Sequence, residues 1–187
     1  MSFGCAVALV VVQSFTSLSQ AEAVLTSVKY FLQITDPVIA GESTDDRHRN
    51  EIDLLSFTMS FSQPAAATGG SGAGARVTTA TCGVLRLLKN VDKASPKLVI
   101  SALLGTHHNH AVLSGVTNDG IVNFRMSLTN VIVLSVNISD STGFPPATEE
   151  VTLQAESIVL EVTPEDPRGG GGPPSIATID CAAKKGA

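Results

Sequence analysis

The chain has 187 residues, of which 43% are hydrophobic and 16% are charged, and its formal net charge is −5. This share of apolar residues excludes a disordered chain. The acidic balance argues against a nucleic-acid-binding protein, which would present a basic face. Aromatic residues make up only 4% of the chain and tryptophan is absent. We therefore expect one globular domain with an aliphatic core.

The N-terminus has the pattern of a secretory signal peptide. Residues 5–12 form an unbroken apolar run. Because about 20 residues are needed to span a bilayer, no stable membrane insertion is expected. Ala21-Glu22-Ala23 is a small-x-small site of the kind that signal peptidase cuts. We predict a signal peptide over residues 1–23 and a single domain over residues 24–187. Residues 1–4 contain no lysine or arginine, so a buried first strand and a misassigned start codon remain alternatives.

The first half of the domain contains strand patterns and one long loop. Residues 28–34 predict a strand that ends at Asp36-Pro37, and residues 51–63 predict a second strand. The alternation of the second strand changes phase, which predicts that its inward face shifts along its length. Residues 63–75 form an uncharged low-complexity loop, and an extended pattern resumes over residues 76–89.

One helix is predicted, over residues 95–104. Ser95 has a good N-cap side chain, and Pro96 loses no hydrogen bond at the first helical position. Gly105 is a typical C-terminal stop. The apolar face of this helix is expected to consist of Leu98, Ala102 and Leu103.

Strand patterns return after the helix. Residues 111–116 and 121–139 predict two strands, joined at Asp119-Gly120, which is a hairpin turn signal. Residues 150–163 alternate well, and a slip in the alternation at residues 155–158 predicts a bulge.

The C-terminal segment combines a flexible spacer with a short strand. Residues 164–174 are rich in glycine and proline, and residues 175–181 predict the last strand. Many strands, hairpin-like spacing and one helix together predict a mainly β fold. We expect a small antiparallel β-barrel or sandwich with one flanking α-helix, at about residues 95–104.

Two motifs suggest ligand binding but lack the residues that it requires. The glycines of residues 69–74 are followed by a strand and lack the Gly-Lys-Ser/Thr ending of a phosphate loop. His107-His108-Asn109-His110 is the only histidine cluster, and no carboxylate or cysteine lies close to it in sequence. We interpret it as a solvated turn after the helix. No cofactor or metal is expected.

The acidic residues near position 45 do not form a catalytic pair. They alternate with Arg47, His48 and Arg49, and such interleaved charges suit a polar docking surface. A proton-transfer site would need a buried carboxylate with a shifted pKa. No serine-hydrolase motif is present either, so we expect that the protein is not an enzyme.

The cysteines fit an exported chain. Removal of the signal peptide would take Cys5 with it and leave Cys82 and Cys181 as a pair. In an oxidising compartment these two can bridge within one subunit or between two subunits, or they can remain unrelated buried thiols. Neither has a second cysteine or a histidine at metal-binding spacing.

Two blocks carry a resemblance to a known family. They are Gly41-Glu42-Ser43-Thr44-Asp45-Asp46 and Asp92-Lys93-Ala94-Ser95-Pro96-Lys97-Leu98. Together with the strand at residues 30–34 and the late strand at residues 152–162, their order and spacing resemble the haemolysin-coregulated protein (Hcp) family. Members of that family are tube subunits of the type VI secretion system. The resemblance covers about residues 29–162.

The resemblance implies a structural role. It implies a homohexameric ring, stacking of rings into a tube, and cargo carried in the lumen. It also implies that the loop at residues 42–53 lies between stacked rings; the alternative is a solvated loop. The contact candidates in this loop are Glu42, Ser43, Thr44, Asp45, Asp46, Arg47, His48, Arg49, Glu51 and Asp53.

Two departures from the family bear on where the protein is located. The tail at residues 176–187 does not resemble the usual ending, and tube subunits lack a cleaved signal peptide. A secreted relative that assembles outside the cytoplasm is therefore expected, and a Cys82–Cys181 crosslink between its subunits would suit such an assembly. If residues 1–23 are retained, the protein would be cytoplasmic before type VI export. The alternative function is a secreted binding module or effector that keeps the barrel without polymerising and contacts its ligand through the histidine cluster or the glycine loops.

Overall fold

The computed structural model describes residues 27–62, 81–140, 143, 146–164, 170–182 and 185–186. The predicted signal peptide and the low-complexity loop at residues 63–75 lie outside the described residues. The division into a signal peptide and one domain therefore stays a prediction.

Within the described residues the chain forms eleven strands and one helix, which bears out a mainly β fold. In chain order these are β1 (Val28–Thr35), β2 (Ile52–Leu54), β3 (Ser56–Thr58), β4 (Phe61–Ser62), β5 (Thr81–Cys82), β6 (Leu85–Asn90), α1 (Ser95–Leu104), β7 (His107–Thr117), β8 (Val122–Ser139), β9 (Thr148–Val162), β10 (Ser175–Asp180) and β11 (Lys185–Gly186).

The main sheet curls into a barrel that β2 and β3 close. Strands β1, β7, β8, β9 and β6 are neighbours in that order, and all their pairings are antiparallel. At one end β2 pairs with β1, and at the other end β3 pairs with β6. Only Leu55 separates β2 from β3, so one short segment bridges both ends of the sheet. The predicted antiparallel barrel with a flanking helix is confirmed.

The segment predicted as one strand over residues 51–63 is divided by this closure. Ile52 and Leu54 are buried in the barrel interior, and Leu55 is exposed. Phe57 is half-buried and packs against the core, so the inward-facing side chains change from even-numbered to odd-numbered positions. The predicted shift of the inward face is confirmed. Its physical cause is a change of partner, because the chain leaves β1 and joins β6 at Leu55.

Strands β8 and β9 change their inward face together. In β9 the buried side switches between Leu153 and Ile158, as the slip in the sequence predicted. The register with β8 nevertheless continues, since β8 makes the same change at Asn130, whose φ is 51°. A bulge at residues 155–158 was therefore the wrong interpretation. The register shift lies further along β8, at residues 133–135.

The helix has the predicted bounds, but its N-cap residue and its buried face differ from the prediction. Ala94 occupies the N-cap position without a side-chain hydrogen bond, and Ser95 is the first helical residue. The N-cap assignment of Ser95 is therefore wrong, whereas Pro96 lies in the first turn and Gly105 ends the helix with φ 62°. Leu103 is 80% exposed, so it does not belong to the inward face, which is formed by Leu98, Ser101 and Ala102.

The histidine cluster lies in strand β7 and not in a solvated turn. His108 is fully buried: its Nδ1 lies 2.7 Å from the carbonyl oxygen of Pro37 and its Nε2 lies 3.2 Å from Ser101 Oγ. It therefore joins the turn after β1 to the helix. His107 and His110 are exposed, whereas His108 is buried, so the three imidazoles do not form one cluster.

A buried charged cluster joins β6, β9 and the start of the helix. Lys89 and Glu149 are directly opposite each other in the β6–β9 ladder, and both are fully buried. Lys89 Nζ donates to Glu149 Oε1 at 2.6 Å and to Asp92 Oδ1 at 2.8 Å. Ser95 Oγ donates to Glu149 Oε1 at 2.8 Å and accepts from the backbone N–H of Asp92. Ser95 therefore fixes the helix to this ion pair.

We predict that replacing Lys89 with methionine lowers the free energy of unfolding by about 3–5 kcal/mol, because Glu149 would stay buried without a counter-charge. The matched control is Arg86→Met on the same strand. Its ion pair with Glu150, at 3.3 Å, is exposed, so less than about 1 kcal/mol should be lost. Urea unfolding followed by circular dichroism measures both. Equal losses would contradict the structural role of the buried pair.

Candidate assembly surface

The loop between β1 and β2 is a folded hairpin. The backbone N–H of Gly41 donates to the carbonyl of Asn50 at 2.8 Å. The N–H of Ser43 donates to the carbonyl of Glu51 at 3.0 Å, and the N–H of Asn50 donates to the carbonyl of Ser43 at 2.9 Å. A Cβ on Gly41 would lie 2.2 Å from the carbonyl oxygen of Glu51. The glycine is thus required because two backbone segments approach closely. The loop at residues 41–51 therefore has a defined shape.

His48 packs this loop onto the outside of the barrel. Its ring stacks on Phe31 with 4.4 Å between ring centroids and an angle of 4°, and its Nδ1 lies 2.9 Å from Glu51 Oε2. Phe31 does not belong to the aliphatic core cluster, yet it is only 2% exposed, with His48 stacked against it. Ser43 and His48, two of the contact candidates, are both buried. Within one subunit they position the loop and do not form its surface.

Arg47 attaches the loop to the turn between β7 and β8. Its guanidinium donates to the carbonyl oxygen of Gly120, whose φ of 84° belongs to the hairpin turn predicted at Asp119-Gly120. Its backbone N–H donates to Asp45 Oδ1 at 3.1 Å. This bond holds the pKa of the Asp45 carboxyl below its usual 3.8, and the nearby His48 lowers it further. In the same turn, the hydroxyl of Thr117 lowers the pKa of Asp119.

The remaining charged side chains of the loop point to solvent. Asp46 and Arg49 form an ion pair at 3.2 Å, but their side chains are 95% and 65% exposed. Such a pair contributes little to the stability of one subunit, so its charges are free to contact another molecule. The exposed contact candidates are Glu42, Thr44, Asp46, Arg47, Arg49 and Asp53. We call these six residues the loop surface.

A cleft of about 340 Å³ lies beside the loop, on the outer face of β1, β7 and β8. Its wall includes Arg47, His48 and Glu51 from the loop, and Arg125 lies across it on β8. Glu51 is the single carboxylate among the described residues that line the cleft, and it contacts His48, so no pair of carboxylates is available there for acid–base chemistry. Within the described residues no group of three or more histidine, cysteine or acidic side chains is arranged to hold a metal.

Cys82 and Cys181 form a disulfide within one chain, with a Cα–Cα distance of 5.6 Å. Of the three alternatives left open by the sequence, the intrachain bridge is therefore correct. The alternative of a crosslink between subunits would need one of these sulfurs, and each already has its partner in the same subunit.

Sequence reasoning missed the buried ion pair of Lys89 and Glu149. A signal for it was present. In β6 the inward set is Leu85, Leu87 and Lys89, and in β9 Glu149 has the same phase as the buried Val151. One basic and one acidic residue at inward-facing positions of two strands indicate a buried pair if the strands are neighbours.

The geometry defines a class of protein: a closed barrel that presents a rigid, charged loop and has no catalytic constellation within its described residues. The comparison with known proteins agrees. Residues 31–162 match the family model described as type VI secretion system effector, Hcp. The chain belongs to the Hcp family and is a tube subunit of type VI secretion, not an enzyme.

Individual relatives support this assignment along most of the chain. Protein hcp1 of Pseudomonas aeruginosa strain PAO1 is 31% identical over 153 residues, which cover 79% of this chain and 91% of that protein. A solved structure of a type six secretion system protein is similar with a TM-score of 0.77 and 25% identity, covering 86% of this chain and all of that one. Hcp1 from Salmonella typhimurium gives 0.69 and 28%, covering 86% of this chain and 99% of that one.

We predict that the Asp45 carboxyl titrates below its usual pKa of 3.8, because the bond from the Arg47 amide favours its charged form. The folded pKa of Asp45 is lowered, so the stability it contributes is fully present above its unfolded value and is lost as the pH falls through the folded value. A pH titration of the Asp45 carboxyl carbon and the Arg47 amide by NMR should show both moving together, below pH 3.8. A midpoint at or above 3.8 would show that the bond to the Arg47 amide is absent.

Proposed function

We propose that this subunit forms six-membered rings that stack into a tube, and that the loop surface lies at the contact between rings. The observation that carries the proposal is the loop itself. It is fixed by Gly41, Arg47 and His48, yet Asp46 and Arg49 present charges of both signs whose exposed ion pair contributes little within the subunit. A preorganised surface of this kind loses little entropy when it binds.

The mixture of charges on the loop surface suits a register-setting contact. Complementary charges across an interface select the correct orientation and exclude wrong ones more than they add affinity. Glu42, Asp46 and Asp53 are acidic, whereas Arg47 and Arg49 are basic. A ring that offers both signs at a fixed spacing can pair with the opposite face of an identical ring in only a few orientations. The six-fold ring itself is inferred from membership of the Hcp family.

The location of the assembly is part of the proposal. We infer that residues 1–23 act as a signal peptide and that the mature chain assembles outside the cytoplasm, with space for cargo in its lumen. The disulfide supports this, because such bonds persist in oxidising compartments and are rare in the cytosol. Among the described residues, no helix is long and apolar enough to cross a bilayer.

Asp46→Lys should weaken ring stacking roughly tenfold or more, because like charges across an interface cost several kcal/mol. The subunit should fold normally, since the Asp46 side chain is 95% exposed. Asp45 is a poorer choice, because its carboxylate holds the loop. Sedimentation velocity and electron microscopy would count tubes, free rings and monomers. The control Lys97→Glu changes an exposed charge on the helix that is not part of the loop surface.

The double variant Asp46→Lys with Arg49→Glu separates position from net charge. It restores the net charge of the loop but exchanges the two signs, so stacking should stay impaired. Tubes that form normally in both variants would remove the loop surface from the contact. A protein that stays monomeric at all concentrations would instead favour a binding module, with the cleft beside Arg47 and Arg125 as its ligand site.

A further inference from the structure

Within the residues that the structure describes, the ladder of β4 and β5 is a short element with few backbone pairs. It is a separate two-stranded sheet with only two residue pairs, Phe61 with Cys82 and Ser62 with Thr81. Both β4 residues are exposed. One further backbone bond, from the N–H of Gly83 to the carbonyl of Ser60 at 2.7 Å, continues the pairing toward the barrel. A two-stranded ladder of this size is not stable in isolation.

The C-terminal end of β10 is firmly anchored by comparison. Strand β10 pairs with β9 through six consecutive residues. Beyond it the backbone N–H groups of Cys181 and Ala182 both donate to the carbonyl of Glu156, at 2.9 and 3.2 Å. Ile179 and Cys181 also pack against the barrel core. The disulfide therefore joins an element with few backbone pairs, through Cys82, to one with more.

The disulfide is also within reach of solvent. Both cysteines are only partly buried, and both line an open cleft of about 320 Å³. Asn130, Gln154 and Glu156 form its polar wall. Thiol–disulfide exchange requires that a thiolate reach one of the two sulfurs, and a cleft of this size admits a small thiol.

We propose that the cleft beside Cys82 and Cys181 is a site of thiol–disulfide exchange with small thiols and disulfides, and that this exchange fastens or releases the β4–β5 ladder. The barrel does not depend on it, because barrel closure at Leu55 and the buried Lys89–Glu149 pair involve neither cysteine.

The small thiol supplies the electrons and the protons that reduction of the disulfide requires. In reduction, one thiolate attacks a sulfur of the pair, breaks the S–S bond and forms a mixed disulfide, and the other cysteine leaves as a thiolate that takes a proton. A second thiolate then attacks the mixed disulfide. Two small thiols are oxidised to one small disulfide, and two cysteine thiols are produced, each carrying one of the protons. In the reverse direction a small disulfide such as glutathione disulfide is the oxidant.

The test uses the full chain with Cys5→Ser, so that Cys82 and Cys181 are its only cysteines. Mercaptoethanol without denaturant should reduce the bond, as read by thiol alkylation and mass spectrometry. Amide hydrogen exchange by NMR is then compared between the two states. Reduction should accelerate exchange at residues 61, 62, 82 and 83 by roughly tenfold or more and leave β7 and β8 unchanged.

A variant without either thiol provides the control. Cys82→Ser with Cys181→Ser should show the fast exchange of the reduced protein under both oxidising and reducing conditions. Three results would overturn the proposal. The bond could resist mercaptoethanol until the protein is unfolded; the ladder could exchange equally in both states; or β7 and β8 could lose protection together with the ladder, which would make the bond a global staple.

Discussion

The structure depends on one ion pair that has been removed from water. Lys89 and Glu149 are opposite each other between β6 and β9, where the sheet returns to meet β3 and complete the barrel. Two buried charges are tolerated only if each is paired and hydrogen-bonded, so they require β6, β9, Asp92 and Ser95 to be in place together. This requirement explains the sequence of the block at residues 92–98, two of whose residues contact the ion pair. Asp92 and Ser95 complete the hydrogen bonding of the ion pair, and helix α1 begins at Ser95.

Because the barrel is closed, contacts with other molecules are made by its outer surface. Strands β1, β7, β8, β9 and β6 each pair with a neighbour on both sides, so the loops and the outer face remain for contacts with other molecules. In the proposed assembly the loop at residues 41–51 makes this contact, and it is fixed to the outer face by His48 on Phe31 and to the β7–β8 turn by Arg47. The barrel thus provides rigidity, while the loop provides a surface of fixed charge. A tube built from repeated copies needs both properties, since small errors in each contact accumulate along its length.

Much of this architecture is readable from the sequence, and the errors have a common cause. The strands, the helix bounds, the turn at Asp119-Gly120 and the shift of face near Leu55 follow from local alternation and turn chemistry. Local pattern could not show that Ser95 faces Glu149, 54 residues away, or that His108 lies between Pro37 and Ser101. In both cases a polar residue that looks suited to a cap or to solvent is used inside the fold. The burial of His48 could not be predicted either, because it depends on Phe31, a stacking partner on β1.

The central claim is that this subunit functions by assembling. A native mass spectrum of the protein recovered from its producing cells, recorded without reductant, tests it most directly. It reads the subunit count, the N-terminus and the disulfide state in one experiment. The account predicts hexamers of a chain that begins near Val24, each subunit lighter by two hydrogens because of the Cys82–Cys181 bond. Hexamers that retain Met1 would preserve the ring and contradict the exported form. Monomers alone would contradict the central claim.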